Sequence, residues 1–194
     1  MSRRKTIAVF GSYRPTPGQI EYEQARELGR RLAQGGYHVM NGGYGGVMAA
    51  SSQGAKEGGG KTIGVICKAF SPKANEFTDQ VIVAKNLLER LETLLRRANG
   101  YVILKGGTGT LVELALCWEY VNKGLMTPKP IVISGGFWKP VVDVLGPEAG
   151  FDPRYTDPAE RPDSCTDFVR VADSPEKVVL EINRWFEKQK KNQE

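Results

Sequence analysis

The stretch Tyr101–Glu113, YVILKGGTGTLVE, joins an apolar run to a helical pattern through a turn that contains three glycines. The run 101–105 has the apolar and β-branched character of a buried strand. Glycine reaches backbone conformations that other residues avoid, so this turn can be tight and can approach a ligand closely. The segment ELALCWEYV that follows is apolar at helical spacing. The stretch therefore predicts one strand, turn and helix unit of an α/β fold.

Further strands are predicted from short apolar runs along the chain. Most of these runs are apolar throughout rather than alternating, which is typical of parallel strands covered by helices on both faces. They are TIAVF (6–10), YHVMN (37–41), TIGVI (62–66), QVIVA (80–84), PIVIS (130–134) and, near the end, FVRV (168–171).

Helical spacing recurs between the strands. One helix begins near Ile20 and ends at Gly35 and Gly36, one carries the leucines of LLERLETLL and ends near Asn99, and a last amphipathic helix begins near Ser174. This order predicts a Rossmann-like, doubly wound α/β fold with a mainly parallel sheet and helices on both faces. We expect a single nucleotide-binding domain over 1–194, in which 146–167, rich in proline and charge, forms a long loop.

Composition limits the classes of function. With 194 residues, 40% of them hydrophobic, the chain suits one ordinary domain. Neither a signal peptide nor a membrane span is readable, so a cytoplasmic protein without a membrane partner is expected. Cys67, Cys117 and Cys165 are far apart and are expected to be core thiols, with no metal site. The net charge of +5 is concentrated at the chain ends without interleaved aromatics, which argues against a nucleic-acid partner.

Three glycine-rich turns follow predicted strands. In a doubly wound sheet such turns share one edge, where helix N-termini offer unpaired N–H groups to anions. Neither the dinucleotide fingerprint nor the Walker A loop matches these turns in register. No lysine in the sequence has the surroundings typical of a Schiff base with pyridoxal phosphate, and no cofactor is predicted. The candidate phosphate-binding residues are Gly11, Ser12, Gly43, Gly45, Gly46, Gly106, Gly107, Thr108, Gly109 and Thr110.

Glu113 has two interpretations. Thr110 and Glu113 have the spacing of a capping box, in which both side chains bind backbone N–H groups at the start of a helix. Alternatively, the carboxylate faces a ligand held by the glycine-rich turn. A carboxylate repels a neighbouring phosphate. If Glu113 had only a structural role, the protein would gain little from placing this carboxylate beside a phosphate-binding turn.

The motifs GGTGTLVE and GGYGGVM resemble those of the Lonely Guy (LOG) family of nucleotide phosphoribohydrolases, once labelled possible lysine decarboxylases. The resemblance covers about Lys5 to Phe186 and includes FGS at the first turn. It implies hydrolysis of the N-glycosidic bond of a nucleoside 5′-monophosphate. The preferred base stays open.

The resemblance also implies which residues act. Glu113 corresponds to the family's catalytic glutamate, and family spacing places the catalytic arginine at Arg90. Without that spacing, Arg90 would be read as a surface arginine paired with Glu89 or Glu92. Lys105 stands where the family has proline, and Leu91 where it has lysine; both departures bear on substrate preference and activity.

The family further implies a homodimer. The alternative function within the same superfamily is non-catalytic binding or carriage of a nucleotide or of the molybdenum cofactor. His38, the sole histidine, is expected to be packed or partly exposed in its strand rather than catalytic.

Overall fold

The centre of the protein is a seven-stranded sheet in which every strand pair is parallel. The computed structural model describes residues 4–147 and 168–191. The strands are β1 (Thr6–Phe10), β2 (His38–Asn41), β3 (Thr62–Cys67), β4 (Gln80–Ala84), β5 (Gly100–Ile103), β6 (Ile131–Ser134) and β7 (Val169–Ala172). Their order in the sheet is β4-β3-β2-β1-β5-β6-β7, so the winding direction reverses between β1 and β5. This confirms the predicted doubly wound fold.

Helices cover both faces of the sheet. They are α1 (Ile20–Gln34), α2 (Val47–Glu57), α3 (Leu87–Arg97), α4 (Thr108–Asn122), α5 (Lys139–Leu145) and α6 (Pro175–Lys191). The apolar side chains of β1 alternate between two cores: Ile7 and Val9 pack beneath α1, α2 and α6, whereas Ala8 and Phe10 pack beneath α3, α4 and α5. Each face of β1 is thus buried, as its continuous apolar run predicts.

Most predicted boundaries lie within two residues of those observed. Helix α1 ends at Gln34, and Gly36 follows with a φ of 87°, the conformation for which glycine is suited. Helix α5 had no sequence prediction, because Val142 is its only buried residue and the segment has no apolar period. The predicted loop 146–167 lies, from residue 148 onward, outside the described residues.

The cysteines fit the expectation where they are described. Cys67 and Cys117 are buried and free, and Cys165 lies outside the described residues. Within the described part of the chain, no helix is long and apolar enough to cross a lipid bilayer.

Two glycines allow α1 and α2 to pack closely. A Cβ at Gly29 would collide with the backbone of Ser51, and a Cβ at Gly54 would collide with the backbone of Arg26. Because the obstructing atoms belong to backbone, side-chain rotation cannot relieve either collision. Helix α2, whose first residues border the site described below, is therefore positioned by direct backbone contact with α1.

Gly29→Ala is expected to destabilise the protein by about 1–3 kcal/mol, because the helices must separate to admit the methyl group. Thermal unfolding measures the loss as a lower Tm. The matched control is Gly136→Ala, since a Cβ at Gly136 would meet no atom within 4 Å. Equal Tm values for the two variants would contradict the close packing of α1 on α2.

Candidate active site

The three glycine-rich turns meet at the carboxyl edge of the sheet, as predicted. They follow β1 and β5, which flank the reversal of the sheet order, and β2, which is the other neighbour of β1. Ser12 links them through its backbone: its N–H donates to the carbonyl of Lys105 at 3.0 Å, and its carbonyl accepts from the N–H of Val47 at 2.9 Å. The first turn thus holds the beginning of α2 beside the turn that precedes α4.

Two glycines in these turns are required by close approach. A Cβ at Gly106 would collide with the side chain of Thr110. Gly46 caps α2 with a φ of 64°, and a Cβ there would collide with the backbone of Ser12 and Tyr13. Both positions keep the turns tightly packed on one another.

Other glycines at this edge face open space. Gly107 is the N-cap of α4 and has no side-chain capping bond, and the helix begins at Thr108. The first N–H groups of a helix have no partner within the helix, and its N-terminus carries a partial positive charge. A Cβ at Gly107 or Gly109 would meet no atom within 4 Å. The protein's own packing therefore does not require glycine there, whereas a closely bound anion would.

The capping-box interpretation of Thr110 and Glu113 is wrong. Because the N-cap is Gly107, Thr110 already lies inside α4 and Glu113 lies in its second turn. The side chain of Thr110 is buried against Gly106. Glu113 is thus free of any capping role at this helix.

Glu113 instead faces Arg90. Their closest atoms, Nη1 of Arg90 and Oε1 of Glu113, lie 3.8 Å apart, and the side chains are 8% and 11% exposed. The Nε of Arg90 donates to the carbonyl of Val65 at 2.8 Å, which fixes the guanidinium at the end of β3. The interpretation of Arg90 as a surface arginine paired with Glu89 or Glu92 is therefore wrong.

Burial dominates the electrostatics of the pair. Desolvation raises the pKa of Glu113 to about 7, against an opposing and smaller effect of the positive charge on Arg90. A carboxyl group with this pKa is partly ionised at neutral pH and can both hold and release a proton. Perturbed carboxyl groups in clefts are typical of active sites.

A cleft of about 1350 Å³ opens over this pair. Gly43 and Gly46 do not line it. Gly43 has a φ of 77° and donates its N–H to Oδ1 of Asn41, so it shapes the turn, as Gly46 does. The predicted site residues that do line the cleft are Arg90, Glu113, Gly11, Ser12, Gly45, Gly106, Gly107, Thr108, Gly109 and Thr110.

Sequence reasoning missed several residues of the cleft wall. Tyr44 lies inside the quoted glycine motif and Arg14 follows Ser12 closely, so their positions in the sequence could have indicated that they line the site. Phe70 and Phe137 lie in loops without periodicity, where no signal was available. Among the residues missed are Tyr13, Arg14, Tyr44, Met48, Phe70 and Phe137.

The two departures from the family motif have different surroundings. Lys105 lines the cleft, and its Nζ lies 2.9 Å from Oε1 of Glu21 in the first turn of α1. Leu91 is buried and packs away from solvent. His38 begins β2, at the opposite edge of the sheet from the cleft.

The fold and the position of the cleft define a Rossmann-like α/β protein with its candidate site at the topological switch point. The chain belongs to the SLOG cluster4 family, whose model matches residues 4–133, and its resemblance to the LOG family is thereby confirmed.

Several similar proteins align with two thirds or more of this chain. A cytokinin riboside 5′-monophosphate phosphoribohydrolase of Mycobacterium marinum is 35% identical over 133 residues, which are 67% of this chain and 70% of that protein. The molybdenum cofactor binding protein of Rippkaea orientalis has a TM-score of 0.73 at 23% identity, covering 96% of this chain and 99% of that one. The molybdenum cofactor carrier protein of Chlamydomonas reinhardtii has a TM-score of 0.69 at 25% identity, covering 94% and 98%.

Proposed function

We propose that the protein is a hydrolase that cleaves the N-glycosidic bond of a nucleoside 5′-monophosphate, releasing the free base and ribose 5-phosphate. The observation that carries this proposal is the buried Arg90–Glu113 pair, which lies in the same cleft as the N-terminus of α4. Relatives named as phosphoribohydrolases, among them the Mycobacterium marinum protein, support the same reaction.

The 5′-phosphate is assigned to the turn before α4. The N–H groups of Thr108, Gly109 and Thr110 belong to the first turn of that helix, where anions are stabilised. Gly106 and Gly107 complete the turn. A phosphate bound there is anchored on the helix that also carries Glu113, so the ribose is held toward the carboxylate.

The chemistry uses the charge of Glu113. As the C1′–N bond breaks, its electron pair leaves on the base and positive charge develops on the ribose ring, which a neighbouring carboxylate stabilises. Water adds at C1′ and gives up one proton, and the base gains one, so the reaction balances with water as the only co-reactant. Glu113 can accept the proton of the water because its pKa lies near neutrality. Arg90 offsets the negative charge of the carboxylate and the phosphate.

A panel of substrates tests this proposal. Purine and pyrimidine nucleoside 5′-monophosphates are incubated with the protein, and the released base is measured by chromatography. At least one monophosphate is expected to release base, and the matching nucleoside without its phosphate should react at least about 100-fold more slowly, because the anchoring contacts are lost. A nucleoside that reacts as fast as its monophosphate would contradict the role assigned to the turn.

A second candidate is non-catalytic binding or carriage of a nucleotide or of the molybdenum cofactor. The specific observation in its favour is the similarity to the Chlamydomonas reinhardtii carrier protein over nearly the whole of both chains. Tight binding of the ligand without release of base would favour this candidate over the hydrolase.

We also propose that the protein is a homodimer. Helices α3 and α4 are not wholly buried within one chain, since Leu88 is 77% exposed and Val112 is 47% exposed. Apolar side chains at the helix surface favour association with a second copy. Light scattering at micromolar concentration is expected to give twice the chain mass, and a species of monomer mass alone would contradict the dimer.

A further inference from the structure

The wall of the cleft beyond Arg90 is aromatic. The guanidinium of Arg90 lies over the ring of Tyr44, with its Cζ 5.6 Å from the ring centroid. The ring of Phe70 meets that of Tyr44 edge to face, with 6.3 Å between the centroids. A continuous series of contacts therefore leads from Glu113 through Arg90 and Tyr44 to Phe70.

Tyr44 is held rigidly in this series. Its hydroxyl donates to the carbonyl of Cys67 at 2.8 Å and accepts from the N–H of the same residue at 2.7 Å. The side-chain amide of Asn75 donates to the carbonyl of Tyr44 at 2.9 Å, and the backbone N–H of Asn75 donates to the carbonyl of Gly43 at 2.7 Å. These bonds fasten the 68–79 loop onto the glycine turn after β2. Phe70, in that loop, is thereby placed at the cleft.

The ring of Phe70 is largely exposed although it contacts the fixed ring of Tyr44. Its exposed fraction is 58%, and it lines the cleft. An aromatic face that is open to a cleft and stands beside a fixed ring is suited to stack on a planar heterocycle.

The position of Phe70 relative to the turn before α4 determines which part of the ligand lies beside its ring. The turn before α4 lies at the middle of the sheet, after β5, whereas Tyr44 and Phe70 follow β2 and β3 on one side of it. Glu113 and Arg90 connect the two sides, since Glu113 belongs to α4, and Arg90 contacts both Glu113 and the ring of Tyr44. A phosphate at the turn and a reacting carbon at Glu113 therefore leave the base on the side of Phe70.

We infer that Phe70, supported by Tyr44, forms the subsite that binds the base of the substrate by stacking. This inference rests on the proposed function and deepens it. The subsite recognises a planar ring through its π face and therefore tolerates different bases, whereas the turn before α4 recognises the phosphate. Binding of the base is thus separable from binding of the ribose phosphate.

Isothermal titration calorimetry tests the inference with two ligands, AMP and ribose 5-phosphate, which lacks the base. The titrations use Glu113→Gln as the reference protein so that AMP stays intact. Adding Phe70→Ala is expected to raise the Kd for AMP about tenfold or more, as loss of one base-stacking aromatic does. The Kd for ribose 5-phosphate should stay within about twofold, because the phosphate contacts are unchanged. Adding Phe70→Trp should restore AMP binding.

The matched control is Leu125→Ala in the same reference protein. Leu125 is an apolar side chain that is 56% exposed, close to the 58% of Phe70, and it does not line the cleft. Its loss should leave AMP binding within about twofold. The inference is overturned if Phe70→Ala leaves the Kd for AMP unchanged, if it weakens both ligands equally, or if the reference protein binds no AMP. Absence of base release by the wild-type protein would overturn the proposed reaction alone, since the titrations measure binding without turnover.

Discussion

Glu113→Gln is expected to lower the turnover of a nucleoside 5′-monophosphate by about 100-fold or more while the fold survives. Glutamine keeps the shape of the side chain but removes the charge that stabilises the cationic ribose. It also cannot accept a proton from the attacking water. The measurement is the rate of base release at saturating substrate, with the Tm as a check on folding.

The affinity of this variant for the substrate distinguishes loss of catalysis from loss of structure. Affinity for the intact monophosphate should persist or rise, because a carboxylate that repels the phosphate is gone. The matched control is Glu119→Gln, the same change on the same helix at an exposed position. A Glu113→Gln variant as active as Glu119→Gln would remove Glu113 from the reaction.

Arg90→Ala is expected to lower kcat/KM at pH 7 by about 100-fold or more. The guanidinium is the positive charge that lowers the pKa of Glu113 against the opposing effect of burial. Its removal therefore raises that pKa above the present value of about 7, and less of the carboxylate is ionised at neutral pH. The positive charge that offsets the phosphate and the carboxylate is lost as well. Arg97→Ala, an exposed arginine on the same helix, is the control.

A double variant distinguishes loss of catalysis from loss of folding. Removing Arg90 alone leaves a buried carboxylate without its partner, which is destabilising. Arg90→Ala combined with Glu113→Gln removes both charges and should be no less active than the more severe single variant, because residues that act as a unit are not additive. Fully additive losses in the double variant would indicate that the two residues act independently.

The pH profile gives a further expected result. Because the ionised carboxylate is the active form, kcat/KM should fall as the pH drops through about 7, the pKa of Glu113. In Arg90→Ala this acidic limb should move to higher pH, since the positive charge no longer favours the ionised form. The phosphate of the substrate titrates identically in both assays, so the difference between the two profiles reports on Glu113. Superimposable limbs would contradict the coupling of Arg90 to Glu113.

Periodicity and turn chemistry predicted most of the fold. The strands are apolar on both faces, and glycine marks the ends of helices and the turns of the site, so these elements were readable. Helix α5 was not, because one buried valine gives no period.

The site was predictable only where a local motif carries it. Glu113 and the turn before α4 stand next to one another in the sequence, whereas Arg90 was found through the family's spacing. The capping-box interpretation failed because the start of a helix depends on which backbone groups are free, and Gly107, not Thr110, is the N-cap. Likewise, no local pattern separates Gly46, which shapes a turn, from Gly109, which faces the cleft. Phe70 reaches the site through the tertiary contacts of Tyr44 and Asn75, which a local pattern does not encode.

The most direct test of the proposed reaction is the product analysis of AMP incubated with stoichiometric wild-type protein. Adenine and ribose 5-phosphate are expected to appear in equal amounts as AMP disappears, whereas Glu113→Gln is expected to leave AMP intact over the same time. Wild-type protein that binds AMP but returns it unchanged, with the other nucleoside monophosphates equally untouched, would contradict the hydrolase and leave binding or carriage as the function.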